Sequence, residues 1–301
     1  MKGKEKMRVR ESLQDRVFNG INILVMLLVT IVILYPLYFI IIASISEPTL
    51  VNSGQVLLFP KGVTLEGYAR MLHNDELWTG YVNSLIYMVC GTLLSLCMTI
   101  PAAFALAYKH TRGKRFFTFL FTFTMMFNGG MIPTYLVIKS LGWLNTRWIL
   151  MINGGFTAYN LIVSRTFMQN IPSEVLEAAD IDGASVAQTF FRVVLPLSKA
   201  ILAVMALFYG IARWNDYFSA LIYVTNQEYV PLQMVLRRIL IQSATAASAG
   251  SSDPEGQALL ARISELMKYC VIIAASLPAM LIYPFVQKHF VKGVMLGAIK
   301  G

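Results

Sequence analysis

Long apolar runs along this chain are separated by short polar ones, and their lengths predict helices that cross a bilayer. The first unbroken run covers 24 residues, Ile21 to Ser44. Six stretches reach the roughly 20 residues that a helix needs to traverse the hydrocarbon core: about 19–44, 81–107, 116–138, 147–167, 199–222 and 268–290. The expected class is therefore an all-α integral membrane protein with six transmembrane helices. Its boundaries are a tail at 1–18, a membrane domain at 19–290 and a tail at 291–301. The joints are uneven. Lys109 to Arg115 and Ser140 to Thr146 are brief, whereas 46–80 and 223–267 are long. Within the long joints, Thr64 to Leu72 and Leu232 to Leu240 (with Arg237 and Arg238) have the spacing of short amphipathic helices. Each fits a helix lying at the membrane surface at least as well as a partner contact. Ser243 to Ser252, rich in Ser, Ala and Gly, predicts a loop tip.

One polar island breaks the rhythm, Pro172 to Pro196, within a loop at 168–198. It reads as two short helices with Gly183 between them. Ser173 is placed to cap the first, and Val175, Leu176, Ala178, Ala179 and Ile181 form its expected apolar stripe. Gly183, after Asp180 and Asp182, supplies the left-handed residue that ends a helix. A second helix is expected from about Ser185 to Leu195, interrupted at Pro196.

Composition supports the membrane reading. Of 301 residues, 56% are hydrophobic and only 14% charged, against about 25% charged in soluble domains. The net charge of +9 does not imply nucleic-acid binding, because the basic residues flank apolar runs instead of forming a domain. They orient the chain. With both ends inside, the inner side holds sixteen Lys and Arg and the outer side eight, which places both termini and the 168–198 loop in the cytoplasm. The first apolar run exceeds the 7–15 residues of a cleavable signal core, so it reads as an uncleaved span. Cys90, Cys97 and Cys270 lie in apolar runs at spacings unlike a metal or redox motif, and read as small hydrophobes.

Chemistry of the chain's own is not evident. Gly113-Lys114-Arg115 lacks the first glycine and the hydroxyl residue of a phosphate-binding loop. His73, His110 and His289 are scattered, and no HExxH or GxSxG occurs. The expectation is a conduit or receptor with no metal and no cofactor. Two intramembrane features could line a path. Asn128-Gly129-Gly130 with Pro133 can loosen the third span, either to line a cavity or as a packing kink. Arg213 and Asp216, at i and i+3 in the fifth span, can pair on one face near Tyr209 and Tyr217. They serve either a sugar, whose apolar ring face packs on aromatic side chains, or a purely structural ion pair.

The island carries a resemblance. Glu177-Ala178-Ala179, then Gly183, then Val193-Val194-Leu195-Pro196 matches the EAA loop of bacterial ABC importer permeases, with Val193 where Ile is usual. Gly129-Gly130-Met131-Ile132-Pro133-Thr134-Tyr135, Leu141 to Thr146, Trp214-Asn215-Asp216 and the glycine-rich tail from Phe290 to Gly301 are similar to carbohydrate permeases of the MalG type, in particular the LplC/YtcP-like subgroup. The resemblance implies a type I ABC importer permease fold and import of an oligosaccharide, including acidic pectin- or alginate-derived ones. It implies a second permease subunit in a heterodimer, two ATPase subunits that bind the ATP and Mg, and an extracytoplasmic solute-binding protein. It also implies coupling through Glu177, Ala178, Ala179, Asp180, Asp182, Gly183, Leu195 and Pro196. The pathway residues to weigh are Asn128, Gly129, Gly130, Tyr209, Arg213, Asn215, Asp216 and Tyr217. An ion-gradient-driven secondary transporter is the alternative. It predicts an internal repeat and a titratable group near the midplane, and neither stands out. A membrane enzyme or scaffold would need a catalytic cluster, which is not evident either.

Overall fold

The computed structural model describes residues 12–246, 262–278 and 280–281, with side chains of 242–246 excepted. All regular elements among them are helical. In chain order they are α1 (Leu13–Ser44), α2 (Pro48–Asn52), α3 (Glu66–Leu72), α4 (Asp75–Ala107), α5 (Lys114–Met126), α6 (Met131–Ser140), α7 (Arg147–Ile152) and α8 (Ala158–Gln169). There follow α9 (Ser173–Ile181), α10 (Val186–Gln188), a π-helical turn (Thr189–Val194), α11 (Leu195–Leu197), α12 (Lys199–Trp214), α13 (Phe218–Tyr223) and α14 (Leu232–Ala246). A last helix, α15, runs through 262–278. Residues 1–11, 247–261, 279 and everything after 281 lie outside the described residues. So do most of the expected loop tip and the far half of the sixth apolar stretch.

Among the described residues, only α1 and α4 are single helices long and apolar enough to cross a membrane. Three expected spans are broken. The third is split into α5 and α6, bent by 116° across 127–130. The fourth is split into α7 and α8, separated by 153–157, and the fifth into α12 and α13, separated by 215–217. Hydropathy counts apolar residues along the chain and is blind to a change of axis. At the first break Gly130 takes φ +90°, a region that L side chains avoid, and the Asn128 side chain accepts the Gly130 N–H at 2.9 Å. A further bend of 79° separates 186–197 from α12. Proline alone does not break a helix here: Pro36 and Pro101 sit inside α1 and α4.

The bundle is built around α4. Its packing against α8, α12, α14 and α7 explains why small and polar residues (Asn83, Ser84, Gly91, Ser95, Thr99) are buried along it. Asn83 donates to the carbonyls of Glu228 and Val230, and Ser84 accepts the Leu232 N–H at 2.9 Å. These bonds hold the start of α14 against α4. By contrast α1 is exposed along nearly all its length and becomes buried only at Ile42–Ser44. The Phe-rich α5 buries no residue within this chain. Both apolar surfaces therefore need cover from lipid or another subunit.

Candidate coupling site and pathway residues

The 168–198 island folds as two helical pieces around Gly183, with one correction to the start. Pro172, not Ser173, is the N-cap of α9, and no side chain caps it. The proline ring holds φ at −53° and the backbone there is extended at ψ 132°, which leaves Ser173 already inside the first turn. The end follows the expectation: Gly183 lies at φ +71°, its N–H donates to the Asp180 carbonyl at 3.1 Å, and the Ala184 N–H reaches the Ala179 carbonyl at 3.0 Å. This is a Schellman closure, which satisfies carbonyls that the helix end would leave open. The second piece opens on a capping box: the Ser185 hydroxyl accepts the Gln188 N–H, and Gln188 Oε1 accepts the Ser185 N–H at 2.8 Å. It then widens into the π turn and continues past Pro196 to Leu197.

The expected apolar stripe of α9 divides between two faces. Ala179 is buried and Leu176 half-buried, facing the bundle. Val175, Ala178 and Ile181 face outward beside Glu174 and Asp182, with Ile181 86% exposed. This apolar strip at i, i+3 and i+6, between carboxylates, stays exposed and does not join the core. The inward side is tied to the end of α4. The Tyr108 hydroxyl donates to Asp180 Oδ1 at 3.1 Å, and His110 Nε2 lies 3.7 Å from Asp180 Oδ2. Burial, then the Asp180 carboxylate, pushes the Tyr108 phenol above its ordinary value. Glu177 lies 3.7 Å from Lys109 Nζ in an exposed pair. Within this chain that carboxylate therefore already has a cation beside it. Behind the π turn, Phe190 packs on Phe104 with ring centroids 5.2 Å apart, and Val194 is 1% exposed. The elbow is thus anchored to α4 and α12 through one apolar cluster that also holds Leu161, Met205 and Tyr209.

The pathway residues do not form one site. Tyr209 is buried, its hydroxyl 2.7 Å from Thr99 Oγ1, so it is a core residue. Arg213 is 7% exposed, and its Nη1 donates to the carbonyl of Leu150 at 3.2 Å and to that of Asn153. It makes no salt bridge with Asp216 among the described residues, because α12 ends at Trp214 and i, i+3 no longer means one face. Asp216 instead accepts the Ser219 N–H at 3.0 Å at the start of α13. The guanidinium fills space left by two glycines: a Cβ on Gly91 would stand 3.0 Å from Arg213 Nε, and one on Gly155 3.2 Å from its Nη2. Arg213 is thus a clasp on the break between α7 and α8, at the carbonyl end of α7, where a cation also meets the helix dipole favourably. Asn128, Gly129 and Gly130 lie on the exposed break of the third stretch, with no atom within 4 Å of a Cβ on Gly129.

Asn215 and Tyr217 do come together. With Trp214, Gln233, Arg237 and Ser276 they line a cavity of about 670 Å³ between the end of α12, α14 and α15. Sequence reasoning missed Gln233 and Ser276 and placed Arg237 only on an amphipathic surface helix. The two-sided character of 232–240 was the available signal.

Residues 77–296 match the family of binding-protein-dependent transport system inner membrane components, and this chain belongs to that family. Among curated relatives, Protein LplC of Bacillus subtilis (strain 168) is 39% identical over 290 residues, covering 95% of this chain and 96% of its own. The polygalacturonan/rhamnogalacturonan transport system permease protein YtcP of the same strain is 35% identical over 295 residues, covering 96% and 100%. A solved bacterial ABC transporter involved in the import of the acidic polysaccharide alginate superposes with a TM-score of 0.83 at 34% identity, covering 94% of this chain and 99% of that one. The chain is accordingly an ABC importer permease, and the gradient-driven alternative gives way.

Proposed function

We propose that this chain is one of two unlike permease subunits in an ATP-driven importer of acidic oligosaccharides derived from polyuronides. The observation that carries the substrate class is the near full-length likeness to an alginate importer and, among curated relatives, to a polygalacturonan permease. Six spans, three of them broken, form half of the path, with both termini in the cytoplasm. The chain performs no catalysis. ATP and Mg bind two ATPase subunits, and a solute-binding protein delivers sugar from outside.

In this reading the outward face of α9 docks in the ATPase. Glu177, Ala178, Ala179, Asp180, Asp182 and Gly183 shape that helix, while Leu195 and Pro196 set the turn back into α12. Closure of the ATPases moves α9. The Schellman closure and capping box make the elbow a stiff lever, and the Phe104–Phe190 contact passes its displacement to α4 and α12. Exposed α1 and α5 meet lipid and the second permease. Reconstitution of the full complex in liposomes tests the proposal. The expected result is ATP-dependent uptake of oligogalacturonate or oligoalginate in preference to neutral maltooligosaccharides. Equal or preferred uptake of the neutral sugars would overturn the substrate class.

A further inference from the structure

Two neighbouring arginines on α14 have different surroundings. Arg238 is engaged: its guanidinium donates to the Glu76 carboxylate and, at 2.8 Å, to Gln227 Oε1. Arg237 points into the cavity of about 670 Å³ and makes no salt bridge among the described residues. Its guanidinium carbon stands 5.2 Å from the centre of the Tyr217 ring, a cation–π contact that fixes its direction without neutralising it. The cavity has the volume of a small-ligand pocket, commonly about 300–1,000 Å³. Tyr217 supplies aromatic surface, Asn215, Gln233 and Ser276 supply donors and acceptors, and Leu236, Ile272, Ala275 and the buried Trp214 supply apolar wall.

Such a set matches a charged sugar unit. Aromatic faces accept the apolar side of a pyranose ring, amides and a hydroxyl meet its hydroxyl groups, and a lone guanidinium meets a carboxylate through two parallel hydrogen bonds. The apolar wall strengthens that pairing. Arg213 is excluded from the role, since it is buried on backbone carbonyls and does not line this cavity.

We propose that Arg237 is the specificity-determining cation of the translocation cavity and pairs with the carboxylate of one uronate unit in transit, with Asn215, Tyr217 and Gln233 positioning the ring. This rests on the proposed function. The test uses the complete reconstituted importer with its binding protein and two probes, an oligogalacturonate and its carboxyl-reduced neutral counterpart. Arg237→Gln is expected to lower uptake of the acidic probe about tenfold or more, the scale of a lost charge-assisted hydrogen bond. Uptake of the neutral probe stays unchanged, and Arg237→Lys restores part of the acidic uptake. Wild-type uptake of the acidic probe by Arg237→Gln, equal loss of both probes, or failure of the variant to assemble with its partner subunits would each overturn the assignment. A wild-type importer indifferent to the carboxylate overturns the acidic-substrate reading itself, before any variant is measured.

Discussion

The elbow around Gly183 and the Arg213 clasp both lie where helices meet, yet they are specified in opposite ways. The elbow is closed by residues within a few positions of one another: Gly183 on Asp180, Ala184 on Ala179, Ser185 with Gln188. The clasp joins residues about sixty positions apart, Arg213 to the carbonyls of Leu150 and Asn153, with Gly91 making room from a third helix. A local device can move as one body while its interior stays intact. A long-range clasp fixes the relation between helices and is lost when any of them shifts. A lever and a hinge-stop have those respective needs.

Substitutions can pull the two apart. The largest effect is expected from Arg213→Met, which strands two buried carbonyls and leaves the space beside Gly91 and Gly155 poorly filled. The cost should be roughly 3–5 kcal/mol, read as loss of intact complex in detergent on heating, with uptake lost in parallel. Phe190→Ala should cost about 3 kcal/mol of packing behind the elbow. It separates docking from transmission: the ATPase still co-purifies, but substrate-stimulated ATP hydrolysis no longer drives uptake. Gly183→Val forces a β-branched residue into left-handed backbone at about 1–2 kcal/mol. It should weaken coupling while the thermal stability of the membrane bundle stays near wild type. A Gly183→Val protein as unstable as Arg213→Met would erase the contrast.

The smallest effect concerns the 46–72 segment. There Arg262 bridges Glu47 and Glu66, and Glu66 also pairs with Arg70 at 2.7 Å. The Arg70 hydrogen bond holds the Glu66 carboxyl below its usual range. A lowered carboxyl contributes stability that is present above its unfolded value, near 4.3, and is lost as pH falls through the folded value. Added salt should weaken this exposed network at neutral pH, and acid below about pH 4 should loosen it. Protease nicking of 46–72 measures both, and Glu66→Gln should remove most of the pH response.

Much of the elbow was legible in the sequence because its signals are short-range. Gly183 announces a left-handed stop, and Ser185 with Gln188 announces a start. Two things were not legible there. Pro172 displaced the cap from Ser173, and the periodicity of α9 does not reveal that Val175, Ala178 and Ile181 face away from the bundle. The apolar runs pointed to helices, and the described residues there are helical, but the breaks at 127–130, 153–157 and 215–217 were hidden because apolar residues continue on both sides. The supposed Arg213–Asp216 pair failed for the same reason: helical spacing was carried past the helix end at Trp214. Arg213's actual partners are carbonyls, which have no sequence signature. Arg237 and Arg238 look alike in the chain, and Glu76, 162 positions from Arg238, sets them apart.

Cross-linking tests the central claim, that the outward face of α9 is where the motor couples. In a functional background with Cys90, Cys97 and Cys270 replaced, Ile181→Cys is joined to neighbouring amines with a short thiol-to-amine reagent in the assembled importer. The account predicts a covalent product between this chain and the ATPase subunit whose yield changes with ATP, and little product from Leu176→Cys on the inward face. An importer that transports normally yet yields no ATPase product from Ile181→Cys, or equal product from both positions, would contradict it.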